Sequence, residues 1–169
     1  MKLLLAAIAI AILIGSSTPA MAQSFDRWTT GADDQGATHA SVMNESGFIL
    51  GQYCDSRTGP CYWVLGMSAR CKVGTRYPVL VNSDASAQSL EVGCTGETSG
   101  KTGVYGLVFT DSETIGSMIA RSNRLGIAFP LKGDQFRVVR FDVTGAPAAL
   151  AAARAATPGR PESSERDAD

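Results

Sequence analysis

A serine or cysteine nucleophile needs a base to take its proton, and His39 is the sole histidine among the 169 residues. Its setting, Gly36-Ala37-Thr38-His39-Ala40-Ser41, lacks the strand–turn–helix pattern of a nucleophile elbow and reads as a solvated loop. Acid–base chemistry would need two carboxyls converging on one bond, which adjacency in sequence does not supply. Of the close pairs, Asp33 with Asp34 sits in a polar stretch, and Asp111 with Glu113 is explained by the start of a helix. Gly96-Glu97-Thr98-Ser99-Gly100-Lys101-Thr102 ends like a phosphate loop, yet has three residues between its glycines where four are needed. Asn82, Asp84 and Ser86 alternate like the first ligands of a calcium loop. Ala87 stands where the loop requires glycine, and Gly93 where it requires glutamate. An EF-hand is rejected, while a weak calcium site near Asn82 and Asp84 stays open. This reading assigns no catalytic residue, no metal and no cofactor.

Two groups of side chains are better suited to binding than to catalysis. Arg121, Arg124, Lys132, Arg137 and Arg140 place five positive charges within twenty residues. Lining one sheet edge, they would meet an anionic ligand such as a lipid headgroup, a glycan or an acidic protein patch. The competing account is a helix C-terminus followed by solvent-facing strand positions. Arg137 and Arg140 differ in strand parity, so without a bulge they face opposite sides. The second group is Arg57, in Asp55-Ser56-Arg57-Thr58-Gly59-Pro60, with Tyr62 and Trp63 directly after it. Arginine beside tyrosine or tryptophan is the composition of a binding hot spot. Alternation along a strand sends one of the two aromatics into the core and the other outward.

Cys54, Cys61, Cys71 and Cys94 form an even set with no thiol left over. Intervals of six, nine and twenty-two residues, without Cys-x-x-Cys or a histidine pair, do not fit zinc. Four cysteines allow three disulfide connectivities. Local geometry favours Cys54 with Cys61 across the turn-rich loop and Cys71 with Cys94 across a strand pair.

The address of the chain explains that set. Met1-Lys2 is followed by an apolar run, residues 3–14, too short to span a bilayer, then by Ala20-Met21-Ala22. Cleavage is expected between Ala22 and Gln23, giving a periplasmic or secreted protein in which disulfides persist. Nothing after residue 22 is apolar for long enough to cross a membrane as a helix. Without Lys2, fourteen basic residues stand against sixteen acidic ones, and that near-balance excludes a typical nucleic-acid binder.

The elements that must hold these groups are mostly strands, expected at residues 47–53, 61–67, 77–82, 88–94, 104–109, 125–131 and 135–143. Each is short, β-branched or aromatic and bounded by turn residues. Val79-Leu80-Val81 is a continuous apolar run, which reads as a strand buried on both faces. Residues 23–46 read as a polar lead-in with Phe25 and Trp28 as core anchors. Thr110 to Glu113 fits a capping box, and Ile115, Met118 and Ile119 share one helical face. Lys132-Gly133-Asp134 reads as a hairpin turn, and an alanine-rich helix runs from about residue 144 to Ala156. The expected organisation is a signal peptide at 1–22, one domain at 23–156 and a disordered tail at 157–169. The fold class is mainly β: an antiparallel sandwich or barrel-like domain with one internal short helix, a C-terminal helix and disulfide staples.

Trp28, the Cys71 to Cys94 segment and residues 127–152, with Val143-Thr144-Gly145-Ala146-Pro147-Ala148-Ala149-Leu150, together resemble the invasion-associated locus B proteins of bacteria. The chain departs from that pattern in its aromatic Cys61-Tyr62-Trp63 strand and in lacking a Gly-Cys-x-Ala element after Cys94. The resemblance implies a β-sandwich of the bacterial periplasm or surface and carries over no catalytic residue. The leading functional reading is an exported, non-catalytic envelope or interaction protein whose partner is a protein or an anionic envelope component. An inhibitor or immunity-type module, presenting the loop around Arg57 to a cell-wall enzyme, is the alternative. An envelope-polymer hydrolase is the third class.

Overall fold

The structure is a computed structural model and describes residues 24–32, 36–55, 59–98, 103–130 and 135–156. The expected signal peptide, the expected tail, Arg57 and the expected hairpin turn at Lys132 lie outside these residues. Twelve elements follow in order: β1 (Ser24–Phe25), β2 (Trp28–Ala32), β3 (Thr38–Met43), β4 (Ile49–Cys54), β5 (Cys61–Met67), β6 (Arg76–Ser83), β7 (Ala87–Glu97), β8 (Tyr105–Phe109), α1 (Ser112–Ala120), β9 (Arg124–Pro130), β10 (Phe136–Asp142) and α2 (Ala146–Ala156). All ten strands join one antiparallel sheet in the order β1-β2-β3-β4-β5-β8-β7-β6-β9-β10. The sheet is not closed, although β10 comes back to β3: the Asn44 side-chain amide, just past β3, donates to the Arg140 carbonyl at 3.1 Å.

The expected class is the observed one, and both bridges form as the loops favoured, Cys54–Cys61 and Cys71–Cys94. Cys54 and Cys61 are direct cross-strand partners on β4 and β5. Beside the second bridge, the β7–β8 register slips between Cys94 and Gly96, and Gly96 takes φ 94°. Such a bulge bends the strand and favours glycine in the left-handed region.

The lead-in is a correction. Ser24–Phe25, Trp28–Ala32 and Thr38–Met43 are strands, in which Trp28, Thr30, Ala40 and Val42 point inward while mostly polar residues alternate with them. Small and hydroxylic residues carry this alternation, so its hydrophobic period is faint even though the pleat is regular. Trp28 and Trp63 meet edge-on in the core, ring centroids 6.3 Å apart. Helix α1 packs on β5, where Gly116 leaves room for the Trp63 indole nitrogen, 3.1 Å from where a β-carbon would sit. Helix α2 lies on β1, β2 and β3, burying Ala146, Ala149, Leu150 and Ala153 at helical spacing. The N-cap of α1 is Asp111 rather than Thr110: its carboxylate accepts from the Thr114 N–H at 2.9 Å. Thr110 instead bonds the Glu91 carbonyl on β7. Ile115, Met118 and Ile119 form the buried face, as their spacing predicts.

Val79-Leu80-Val81 is the second correction. Val79 and Val81 are buried, whereas Leu80 faces outward and is 52 % exposed. A continuous apolar run does not distinguish a strand covered on both faces from one that presents an apolar residue to a surface groove.

Candidate functional site

The outer face of β6, β9 and β10 is a groove built from cross-strand rows. Leu80, Ala128 and Val138 form one row, and Asn82, Gly126 and Arg140 the next. Phe136 opposite Pro130 lies beyond the first, and Asp142 opposite Arg124 beyond the second. The central strand carries only small residues here, so β9 is the floor and the side chains of β6 and β10 are the walls. A β-carbon added at Gly126 would meet nothing closer than 3.8 Å. The tip of the β3–β4 hairpin borders one side, and the groove is part of an open depression of about 1060 Å³ that also reaches the buried Val42, Phe48, Val139 and Phe141. That tip is stiffened by Asn44, whose side-chain oxygen accepts from the N–H groups of Ser46 and Phe48 at 3.0 and 2.9 Å.

Apolar exposure is concentrated at this place. Met43, Leu80, Phe136 and Val138 are all about half exposed or more, and Met43, Leu80 and Val138 line the groove. Isolated exposed apolar residues are ordinary on soluble proteins; a contiguous set marks a contact surface.

Charge is arranged around the apolar rows. Arg124 lies 3.7 Å from Asp84, and Arg27 lies 3.9 Å from Asp142. Asp142 is held below the usual carboxylate range, chiefly by hydrogen bonding from Thr144, with Arg27 and Arg124 adding to the effect. Arg137 and Arg140 have no ion pair among the described residues, and both border the groove. Their parity is opposite, as the spacing predicts: Arg140 stands on the outer face, while Arg137 pairs with buried Phe129 on the inner one. Because β10 is an edge strand, Arg137 still reaches the groove around that edge.

The expected basic cluster is therefore divided. Arg124, Arg137 and Arg140 come together and are joined by Arg27, distant in sequence. Arg121 caps α1 and turns its guanidinium to the Ser117 carbonyl of its own helix at 3.2 Å. Lys132 lies outside the described residues. At Asp84 one carboxylate oxygen accepts from the N–H groups of both Asn123 and Arg124, at 3.0 and 2.9 Å, and the other lies 3.7 Å from the Arg124 guanidinium. Among the described residues no cluster of three or more metal-ligating side chains forms.

The aromatic loop site is also divided. Trp63 is fully buried and belongs to the core, so it offers no docking surface. Tyr62 is exposed and ends a stack that runs across β3, β4 and β5. His39 and Tyr53 are 5.4 Å apart between ring centroids, and Tyr53 and Tyr62 are 6.2 Å apart. Burial pushes the Tyr53 hydroxyl pKa up, and Tyr62 adds to the rise. His39 is thus a strand residue in a stack, lying over Gly31, and not a solvated loop histidine. Asp33 and Asp34 lie outside the described residues, and Asp111 is occupied at the N-cap of α1.

Sequence reasoning missed Arg27, Asn44, Leu80 and Gly126. Leu80 carried a readable signal, since a leucine between two core valines on a strand must point away from them. The other three depend on strand order, which nothing local encodes.

No protein-family model matches the chain, and none of the curated proteins matches it. A crystal structure of invasion associated protein b from Bartonella henselae is similar to it with a TM-score of 0.59. The match covers 80 % of this chain and 97 % of that one at 13 % identity. At that identity the likeness is one of fold. None of the described helices is long and apolar enough to cross a membrane.

Proposed function

We propose that this chain is an exported, non-catalytic interaction protein of a bacterial envelope, and that it holds an anionic partner in the groove over β9. The observation that carries the reading is the pair Arg137 and Arg140, two guanidiniums with no ion pair among the described residues, beside an exposed apolar row. Both arginines are exposed, so an incoming anion reaches them directly, and a bidentate guanidinium–carboxylate or guanidinium–phosphate pair is among the stronger charge-assisted hydrogen bonds. Two disulfides fit an oxidising compartment outside the cytoplasm. The neighbour of similar fold is named for invasion, and a surface facing a host is the setting we assign to this chain by that likeness. The groove is a better candidate than the loop at Cys54–Cys61, because of that loop's aromatic pair only Tyr62 reaches solvent.

The test is a binding panel of anionic vesicles, an acidic polysaccharide, an acidic peptide and a fatty-acid salt. It is run against the exported chain and an Arg137→Gln/Arg140→Gln variant of unchanged melting temperature. At least one probe should bind in a salt-dependent way and lose affinity for the variant. Equal binding to both proteins, or no binding by any probe, overturns the reading.

A further inference from the structure

Polarity in the groove is sorted along the strand direction instead of being mixed. The lining runs from the Leu80–Ala128–Val138 row to Asn82–Gly126–Arg140 and then to Arg124 and Asp142, and the cross-strand pair Phe136 and Pro130 continues the same face just beyond the apolar end. Four residues separate Phe136 from Arg140, about 13 Å along an extended strand. The floor strand lies between two walls one strand away on each side, so the trough is roughly 10 Å across between wall strands. An α-helix with its side chains is at least that wide and does not enter.

An extended peptide fits the width but not the chemistry. Strand β9 is hydrogen-bonded to β6 on one side and β10 on the other, so no backbone donor or acceptor of the floor is open. A peptide lying on that floor would bury its own amides without partners, which is costly. A hydrocarbon chain has no such groups. We infer that the trough over Gly126 and Ala128 binds one acyl chain of an anionic amphiphile, its carboxylate or phosphate head at Arg140 and its tail running toward Phe136. This rests on the groove reading above and names the ligand class for it. Arg124 and Arg27 each have a carboxylate nearby, Asp84 at 3.7 Å and Asp142 at 3.9 Å, so the head is selected chiefly by Arg140, with Arg137 at the edge. The site takes a lipid monomer. The tip of the β3–β4 hairpin, with Asn44 bonded to the Arg140 carbonyl, borders the trough on one side, so a flat bilayer would have to clear that tip to reach its floor.

Gly126 allows a direct test, because a side chain there meets only ordinary contacts, 3.8 Å from the Asn82 carbonyl and 4.0 Å from Val138. Gly126→Leu fills the trough from its floor; Ala128→Leu does the same one row away and serves if the first variant melts early. The isotopically labelled chain is titrated with dodecanoate below its micelle concentration. Parallel titrations use dodecylphosphocholine, inorganic phosphate, an acidic peptide and intact anionic vesicles. Dodecanoate should shift the amides of Gly126, Ala128 and Val138 in the wild type. A filled trough should weaken binding by about tenfold or more, the loss of a few buried methylenes. Arg140→Gln should weaken dodecanoate severalfold and leave dodecylphosphocholine little changed, and phosphate alone should not bind. Dodecanoate binding that is indifferent to both trough-filling variants overturns the inference. So does binding to vesicles without binding to the monomer. If the acidic peptide binds through Arg140 while dodecanoate does not, the acyl assignment falls and the groove survives. If no anionic probe binds, both fall.

Discussion

Replacing Asp84 with alanine removes the clamp between the β6–β7 turn and the start of β9. One carboxylate oxygen accepts from two consecutive N–H groups, those of Asn123 and Arg124, at 3.0 and 2.9 Å across some forty residues of sequence. Hydrogen bonds to a charged acceptor contribute about 1.5–3 kcal/mol each when shielded from water. The Asp84 side chain is 40 % exposed, so water can reach the freed N–H groups and each bond is taken near 1 kcal/mol. The ion pair to Arg124 at 3.7 Å is between two largely solvated groups and adds little. The expected loss is about 2 kcal/mol, or roughly 6 °C in melting temperature for a domain of this size. Urea unfolding followed by circular dichroism measures it, and the slope with urea should not change. Asp84→Asn keeps a neutral acceptor in place and should lose less than half as much. Calcium or a chelator should leave the wild-type midpoint unmoved, because one carboxylate oxygen is bonded to the backbone and the other faces the Arg124 guanidinium. An Asp84→Ala loss within about 0.5 kcal/mol, the range of ordinary surface substitutions, would refute the clamp. A midpoint that rises with calcium would return Asp84 to the role of a ligand.

Loop entropy makes removal of Cys71–Cys94 (sequence separation 23) costlier than removal of Cys54–Cys61 (separation 7), roughly 3.5 against 2.5 kcal/mol for the paired alanine variants; denaturant midpoints in the reverse order would sink that account. Gly51→Ala should destabilise by about 2 kcal/mol, since its β-carbon would sit 2.8 Å from the Ser41 β-carbon and 3.0 Å from a backbone oxygen, whereas Gly126→Ala, in open space, should be near neutral. Equal melting temperatures for the two variants would show that the sheet relaxes around Gly51. The depressed pKa of Asp142 means that its stabilising contribution is present above the unfolded carboxylate value and is lost as pH falls through the lower folded one. Urea midpoints of wild type and Asp142→Asn should therefore differ at neutral pH and converge in strong acid, and a gap that widens in acid would show the sign to be wrong.

Local chemistry determined a good deal of this protein. The turn residues between short β-branched runs specify seven of the strands, and the spacing of Ile115, Met118 and Ile119 specifies the buried face of α1. The turn-rich stretch between Cys54 and Cys61 and the strand pair between Cys71 and Cys94 favour the two bridges among three connectivities, and the structure forms them. These features depend on residues a few positions apart, where period and turn geometry leave little choice. The first three strands were hidden because threonine, serine, alanine and glycine satisfy the pleat without a strong hydrophobic period.

The groove belongs to the tertiary structure. Arg137 and Arg140 are legible as charges of opposite parity, yet only the position of β10 at the sheet edge lets both border one groove. Leu80 is legible as apolar, but its neighbours Ala128 and Val138 come from strands more than forty residues downstream. Arg27 and Asn44 arrive from the far end of the sheet because it curls until β3 meets β10. Strand order and curl follow from how the buried faces of ten strands and two helices pack into one core. That packing is a collective property, so the surfaces it brings together carry no mark in any single stretch of the chain.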